Sequence, residues 1–316
     1  MAVFTKLEKK EIKDFLKNFS IGDLISFEGI VKGTENSNFK IITSKNKYIL
    51  TILEKRVEEE DLPFFMSLQN ELVEHGFNCP KPIKNNNNLI INKLKNKNAV
   101  IISFLDGENL STIMPEHCYE LGSKIAEFTN ITKKLKLSRV NSLRYENWVK
   151  IYESFKNIND YSYQEYFSVL NEELIFLKKN WPINLPKAII HADLFKDNIF
   201  FKKKKIAGVI DFYFSCYHFF LYDICIVIND WCFQNNGMLF KYDFLDAIIK
   251  GYRKKRKFTS EELNVFNVVL RAATVRILMT RLHDYIFHPK DAIVVKKDPF
   301  QYYNILKWHQ ENRLIL

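Results

Sequence analysis

Four polar residues near the middle of the chain have the types and spacing that phosphoryl transfer requires. His191, Asp193 and Asn198 follow one another closely, and Asp211, with Phe212 after it, comes a little later. Transfer from ATP to a hydroxyl needs a carboxylate that accepts the hydroxyl proton, and oxygen ligands that hold Mg²⁺ against the phosphates. We therefore predict Asp193 as the catalytic base, Asn198 and Asp211 as the Mg²⁺ ligands, and ATP as the phosphoryl donor.

His191 has two interpretations. It can be a core residue that hydrogen-bonds backbone near Asp211, or it can take part in proton transfer. We favour the structural role. The other three residues would otherwise form an Asp-rich turn beside a hairpin, but their spacing argues against that reading.

These residues lie on a short island of strand pattern inside a helical region. Segments 198–201 and 206–210 are short runs of strand character on either side of a lysine-rich turn, which predicts a β-hairpin. Asn198 would then open the hairpin and Asp211 would close it.

The rest of the chain divides into a β-rich part and a helical part. The first part carries strand-like runs separated by Gly or Lys/Asn turns, and one helix that ends at Gly76. The later part shows a helical period. The runs are 26–31, 38–43, 47–53, 88–92 and 98–104 with a helix over 62–75, and the later helices are 115–130, 163–180, 242–253 and 260–286. We predict an α+β fold of two lobes, a small antiparallel sheet with one helix over 1–105 and a larger mainly α lobe over 106–316.

Composition sets broad limits. The chain has 316 residues, of which 47% are hydrophobic, so it can bury a sizeable core. Five cysteines without a C-x-x-C pair suggest neither disulfides nor zinc, which favours a reducing cytoplasm. The N-terminus does not resemble a signal peptide. The most apolar stretch, 212–228, contains His218 and Asp223, so no membrane span is expected. The net charge of +10 suits an anionic partner, but lysine-rich turns explain it more simply.

The loop H-x-D-x-x-x-x-N and the following I-D-F resemble the aminoglycoside phosphotransferase-like family, whose loop usually reads H-G-D. The resemblance covers nearly the whole chain and implies a protein-kinase-like fold. Within the family, the chain is most similar to the homoserine kinases. Similar stretches are 1–5, 33–39, 48–51, 54–57, 61–65, 191–195, 210–214, 229–233 and 280–282. The resemblance implies transfer of the γ-phosphoryl of ATP to L-homoserine, giving O-phospho-L-homoserine in threonine biosynthesis.

The resemblance also implies a nucleotide site in the first lobe. A glycine-containing flap would cover the phosphates, although its glycines are also ordinary hairpin residues, and a hinge near 103–107 would hold adenine. The residues implied are Gly33, Asn36, Ser37, Asn38, Thr51, Ser103 and Leu105. Thr51 stands where kinases carry a phosphate-binding Lys, and the next helix has Phe64, Phe65 and Met66 where the pairing Glu would be expected. Lys55, Arg56 or Lys196 would have to supply the missing charge.

The acceptor site follows from the substrate that the resemblance implies. Homoserine carries a carboxylate, an ammonium and a hydroxyl, so its site needs an arginine or backbone donors and an acid or carbonyls. Three arginines recur on one predicted helix, Arg271, Arg276 and Arg281, of which at most one or two can face the cleft, and we predict Arg276 and Arg281 for the carboxylate. Asp230 is predicted for the ammonium, with Asp284 as an alternative, and Tyr213 as a wall of the pocket, with Trp231 as an alternative. Each of these also fits a plain structural role.

Two other functions stay open at this point. One is a kinase for choline or a related amino alcohol, which would use an aromatic cage and need no arginine. The other is a non-catalytic nucleic-acid-binding protein, suggested by the basic run 253–257. That run lacks interleaved aromatics, and a nucleic-acid reading leaves the catalytic spacing unexplained, so we expect neither a nucleic-acid nor a membrane partner.

Overall fold

A computed structural model of the protein describes residues 5–30, 36–54, 58–287 and 297–316. Its contacts divide the described chain into two compact units. The first comprises residues up to Gly107 together with Ala207–Tyr213, and the second comprises Glu108–Ile206 with the described residues from Phe214 onward.

The first unit is built on a five-stranded antiparallel sheet, as predicted. Its strand order is β1-β2-β3-β5-β4. The elements are α1 (Lys9–Leu16), β1 (Leu24–Gly29), β2 (Ser37–Thr43), β3 (Lys47–Ile52), α2 (Leu62–Glu74), β4 (Asn92–Leu94) and β5 (Lys97–Ser103).

Each face of this sheet has its own apolar core. On one face, buried residues of β2 and β3 such as Ile41 and Leu50 pack with Ile12 and Phe15 of α1. A separate cluster joins Val100 of β5 to residues of α2. Alternate residues of a strand point to opposite faces, so Asn38 lies on the face opposite to Ser37 and Phe39.

Two details of this unit differ from the prediction. Helix α1 was not foreseen, because its sequence KKEIKDFL is mostly charged and carries only three buried residues. The fourth run, 88–92, forms a strand only from Asn92, since the side chain of Asn85 accepts hydrogen bonds from the N–H groups of Asn87 and Leu89 and closes a turn there.

The second unit is mainly helical, as predicted. Strand β6 pairs antiparallel with β9, and β7 pairs with β8, whose residues 207–209 are counted with the first unit. The elements are α3 (Pro115–Thr132), α4 (Tyr145–Ser154), α5 (Gln164–Asn180), β6 (Lys187–Ile190), β7 (Ile199–Lys202), β8 (Lys205–Val209), β9 (Cys216–Phe219), α6 (Phe220–Trp231), β10 (Phe233–Gln234), β11 (Leu239–Phe240), α7 (Tyr242–Arg253), α8 (Ser260–Asn264), α9 (Phe266–Ile286) and α10 (Phe300–Glu311).

Helix α6 forms the centre of this unit, and every one of its residues is buried. A helix that is buried on all sides shows no amphipathic stripe, which is why periodicity did not reveal it. Asp223 and Asp230 are therefore buried acids, and the carboxylate of each accepts hydrogen bonding from backbone N–H groups.

Helices α3 and α7 touch backbone to backbone. A Cβ added to Gly122 would lie 2.0 Å from the carbonyl oxygen of Ile248, and one added to Gly251 would lie 2.0 Å from that of Tyr119. Any side chain at these positions would push the two helices apart.

Within the described part of the chain, no helix combines the length and apolarity needed to cross a bilayer. All five cysteines are buried thiols.

Candidate active site

The predicted catalytic loop follows β6, and the side chain of Asp223 holds its backbone by hydrogen bonds. This residue lies in the first turn of α6, and its two carboxylate oxygens accept the backbone N–H groups of His191 and Ala192, both at 2.8 Å. Burial raises the pKa of Asp223 to about 7, while the two N–H groups and the nearby Arg276 lower it. The acid therefore fixes the loop by hydrogen bonds.

Ala192 adopts a left-handed conformation with φ +63°. A residue with a Cβ pays about 1–2 kcal/mol for this geometry, which glycine avoids. Here the backbone is bound on both sides, because Asp223 accepts its N–H and Arg276 Nη1 donates to its carbonyl at 2.8 Å. These two bonds hold the conformation that directs the chain into Asp193.

Asp193 is partly accessible, with 14% of its side chain exposed. Arg276 Nη2 lies 3.7 Å from its Oδ1, and Asn198 Nδ2 donates to its carbonyl at 2.7 Å and to its Oδ2 at 3.0 Å. The predicted base thus has a cation on one side and an amide on the other, which together set its direction.

His191 is completely buried beneath the loop. Its Nδ1 accepts the N–H of Asp193 at 3.2 Å, and its ring packs edge-on against Phe128. These contacts suit the structural role that the sequence analysis favoured.

Arg276 is 4% exposed and lies in the middle of α9. Besides its contacts to Ala192 and Asp193, its guanidinium stacks 5.3 Å from the ring centroid of Phe214. The sequence analysis predicted Arg276 as an acceptor ligand, whereas its contacts in the structure are to the loop.

A cavity of about 300 Å³ lies in the second unit beside the end of the loop. It is lined by Phe195, Lys196, Asp197, Asp230, Asn236, Arg281, Lys297, Asp298 and Gln301. Two of the four predicted acceptor residues, Asp230 and Arg281, thus face one cavity.

Asp230 and Arg281 are each oriented by one hydrogen bond. Asp230 Oδ2 accepts the backbone N–H of Lys196 at 2.8 Å, and Arg281 Nη1 donates to Gln301 Oε1 at 3.0 Å. The Arg281 guanidinium also stacks on Tyr302, 4.4 Å from the ring centroid. Gln301 and Tyr302 belong to α10, which the sequence analysis did not predict.

The predicted nucleotide residues lie in the first unit, and their side chains fall into separate groups. Thr51 is buried and its hydroxyl donates to Asn38 Oδ1 at 2.7 Å. The hydroxyl of Ser37 instead donates to Glu54 Oε1 at 2.7 Å, and Asn36 Oδ1 accepts the Glu54 N–H. Asn38 and Thr51 therefore form one hydrogen-bonded pair.

The hinge residues and the remaining predictions occupy distinct places. Ser103 bonds Lys81 through both its backbone N–H and its hydroxyl, and the side chain of Leu105 lies beside Gly208, where an added Cβ would come within 2.7 Å of it. Gly33, like the alternative cations Lys55 and Arg56, lies outside the described residues.

Asp211 and Tyr213 also belong to the first unit. Asp211 has φ +67°, a conformation that is uncommon for a residue other than glycine and that concentrates at functional sites. The Tyr213 ring packs edge-on against Phe65 of α2, with centroids 5.4 Å apart.

The donor atoms present fit the predicted metal. Because Asn198 Nδ2 is directed to Asp193, Asn198 Oδ1 faces away, and it accepts no hydrogen bond from any described residue. Mg²⁺ prefers oxygen donors and usually binds through one or two protein groups together with substrate phosphates. Among the described residues, no three His, Cys, Asp or Glu side chains are arranged so that they could hold a metal ion together.

The chain belongs to the phosphotransferase enzyme family, which matches residues 26–258. It is 40% identical over 312 residues to a homoserine kinase of Bartonella henselae, covering 98% of this chain and 95% of that protein. A homoserine kinase of Parvibaculum lavamentivorans is 39% identical over 310 residues, with 98% and 96% covered. The enzymatic reading of the motif is thereby confirmed over the non-catalytic one.

Solved structures of low sequence identity confirm the protein-kinase-like fold. An amicoumacin kinase in complex with AMP-PNP and Ca²⁺ has a TM-score of 0.74 at 16% identity, with 96% of this chain and 93% of that chain covered. A microcompartment-associated aminopropanol kinase has a TM-score of 0.72 at 12% identity, with 96% and 97% covered.

Proposed function

We propose that the protein transfers the γ-phosphoryl group of ATP to the hydroxyl of L-homoserine and so produces O-phospho-L-homoserine for threonine biosynthesis. The observation that carries the choice of acceptor is the similarity to curated homoserine kinases over 98% of the chain. We also propose that the enzyme works in the cytoplasm, without a nucleic-acid or membrane partner.

In this proposal Asp193 accepts the proton of the acceptor hydroxyl as the phosphorus–oxygen bond forms. Its accessible carboxylate and its fixed direction, set by Asn198 and Arg276, support that role. Asn198 Oδ1 and a carboxylate oxygen of Asp211 would hold Mg²⁺. The metal neutralises charge on the phosphate oxygens.

The nucleotide would be held by the first unit, by the residues that the resemblance implies. The hydrogen-bonded pair of Asn38 and Thr51 takes the place of the kinase Lys. Gly33, Asn36 and Ser37 belong to the flap, and Ser103 and Leu105 belong to the hinge.

Of the predicted acceptor residues, we propose that Tyr213, Asp230 and Arg281 contact the acceptor and that Arg276 acts on it through Asp193. Asp230 and Arg281 have the clearest support because they line one cavity beside the end of the loop. The contacts of Arg276 favour an action through Asp193.

The test is a coupled assay of ADP release with Mg-ATP against L-homoserine, choline, ethanolamine, L-serine and an aminoglycoside. We expect turnover with L-homoserine and loss of at least about three orders of magnitude in kcat in Asp193→Asn, since the base is removed while the fold is kept. The matched control is Asp243→Asn, a half-exposed aspartate of α7. Preference for another alcohol would refute the acceptor assignment, and full activity of Asp193→Asn would refute the base.

A further inference from the structure

The cavity beside the catalytic loop contains two charged groups, Asp230 and Arg281, that no described residue neutralises. Two of its lining acids have partners, because Asp197 lies 3.8 Å from Lys297 and Asp298 accepts the N–H of Phe300 at the start of α10. Among the described residues, neither Asp230 nor Arg281 lies within ion-pair distance of an opposite charge.

Asp230 is 7% exposed. A buried carboxylate is strongly disfavoured unless its oxygens receive hydrogen bonds or an opposite charge. Its Oδ2 accepts the N–H of Lys196, while its Oδ1 accepts no hydrogen bond from the described residues. That oxygen suits a cationic donor supplied by a ligand.

Arg281 offers the complementary group. Its stacking on Tyr302 and its bond to Gln301 hold the guanidinium plane in one orientation while leaving other N–H donors unused by the described residues. A planar, fixed guanidinium matches a carboxylate through two parallel hydrogen bonds.

We propose that this cavity binds the α-amino-acid end of the acceptor, with Arg281 on the α-carboxylate and Asp230 on the α-ammonium. The inference rests on the proposed function and names the part of the site that selects the substrate class. An acid and an arginine that share a cavity without pairing are both satisfied by one zwitterion, whereas a simple alcohol satisfies neither.

The proposal separates amino acids from amino alcohols. Choline and related amino alcohols bring a cation for Asp230 but no anion for Arg281, so they would leave a desolvated guanidinium without a partner. Arg276 does not share this task, because it is absent from the cavity lining and its guanidinium is bound to Ala192.

The experiment compares three substrates that differ by one charged group. They are L-homoserine, 3-aminopropan-1-ol, which lacks the carboxylate, and 4-hydroxybutanoate, which lacks the ammonium. The variants are Arg281→Met and Asp230→Asn, and the matched control is Arg253→Met at the exposed end of α7. For each protein, kcat/KM is measured for the three substrates, and the Kd of L-homoserine is measured by calorimetry.

In Arg281→Met we expect kcat/KM and affinity for L-homoserine to fall about 100-fold, with 3-aminopropan-1-ol changed less than about threefold. In Asp230→Asn we expect kcat/KM to fall for both L-homoserine and 3-aminopropan-1-ol, and to stay unchanged for 4-hydroxybutanoate. Gln301→Ala removes only the hydrogen-bond acceptor that orients Arg281, so it should raise KM for L-homoserine several-fold and leave kcat unchanged. This variant tests the assignment if Arg281→Met and Asp230→Asn do not fold.

The outcomes separate this inference from the proposed function. If the wild-type enzyme phosphorylates L-homoserine but Arg281→Met and Gln301→Ala keep the wild-type Kd, the cavity assignment is wrong and the proposed function stands. If the wild-type enzyme does not phosphorylate L-homoserine, the proposed function fails, and with it this inference.

Discussion

The side-chain amide of Asn198 donates to two oxygens of Asp193, the backbone carbonyl at 2.7 Å and the carboxylate Oδ2 at 3.0 Å. The residue predicted as a metal ligand therefore also orients the predicted base. The nitrogen of the amide binds Asp193, and its oxygen is left for the proposed metal.

Asn198→Asp tests this double role, since it keeps an oxygen ligand and replaces the donor with a second carboxylate. We expect kcat to fall by about two orders of magnitude. The acidic limb of the pH–rate profile should move to higher pH, because a neighbouring like charge raises the pKa of a carboxylate. Asn198→Ala should lose activity without that displacement. Profiles with the same acidic limb in all three proteins would show that Asn198 does not orient the base.

Arg276→Lys keeps the charge near Asp193 and removes the fork that reaches the Ala192 carbonyl. We expect kcat to fall about tenfold to a hundredfold with KM for ATP little changed, because the variant loosens the loop and leaves nucleotide contacts alone. Adding Ala192→Gly should restore part of the loss, since glycine adopts the left-handed conformation without steric cost. The double-mutant cycle measures this coupling, and purely additive effects would contradict it.

Thr51→Lys rebuilds the residue that kinases usually carry at this position. Thr51 is 3% exposed, and Val100, its cross-strand partner on β5, belongs to the apolar cluster that contains Phe65 and Met66 of α2. We expect a loss of about 3–5 kcal/mol in unfolding free energy, because the ammonium would be buried without a partner. Thr51→Val, which removes only the bond to Asn38, should cost about 1 kcal/mol.

Denaturant unfolding at pH 7.5 with activity assays measures both variants. A stable Thr51→Lys enzyme with a raised kcat would mean that the chain still carries a partner for the kinase lysine.

His309 of α10 predicts how stability depends on pH. Its Nε2 donates to the Oδ1 of the buried Asn229 at 2.8 Å, and burial, with a smaller contribution from Arg271, lowers its pKa to about 3, so the ring is neutral near pH 7. The unfolded chain takes up this proton near pH 6.5 while the folded state does not, so stability is lost as pH falls from 6.5 towards 3.

Between pH 6.5 and 5 this single group should account for about 2 kcal/mol. In His309→Gln, which keeps a side-chain donor, the loss over this range should be smaller by that amount, whereas His75→Gln at an exposed site should match the wild type. The measurement is urea unfolding at several pH values, and equal slopes in all three proteins would contradict the assignment.

Spacing along the chain was sufficient to predict the sheet, most helices of the second unit and the loop around Asp193. It was not sufficient for α6, whose buried surface has no polar face, or for α10, whose side chains matter through contacts with distant residues such as Arg281. Spacing does not predict the bonds of Asp223 to His191 and Ala192, which join positions more than thirty residues apart; the resemblance does, because Asp223 resembles a family aspartate that caps a helix beneath the catalytic loop. A short motif predicts the local backbone geometry, whereas the residues that stabilise this geometry come from distant parts of the sequence and are brought near by tertiary packing.

The alanine at position 192 has a consequence for motif searches. A search pattern that requires glycine before the predicted catalytic aspartate selects for a positive φ at that position. Such a pattern would reject this chain, which has Ala192 there with φ +63°. Here the same angle is maintained by an acid downstream on α6 and an arginine further along on α9. A search rule that accepts alanine when both of those residues are present would recover such sequences, and it would separate them from chains in which the substitution has merely damaged the loop.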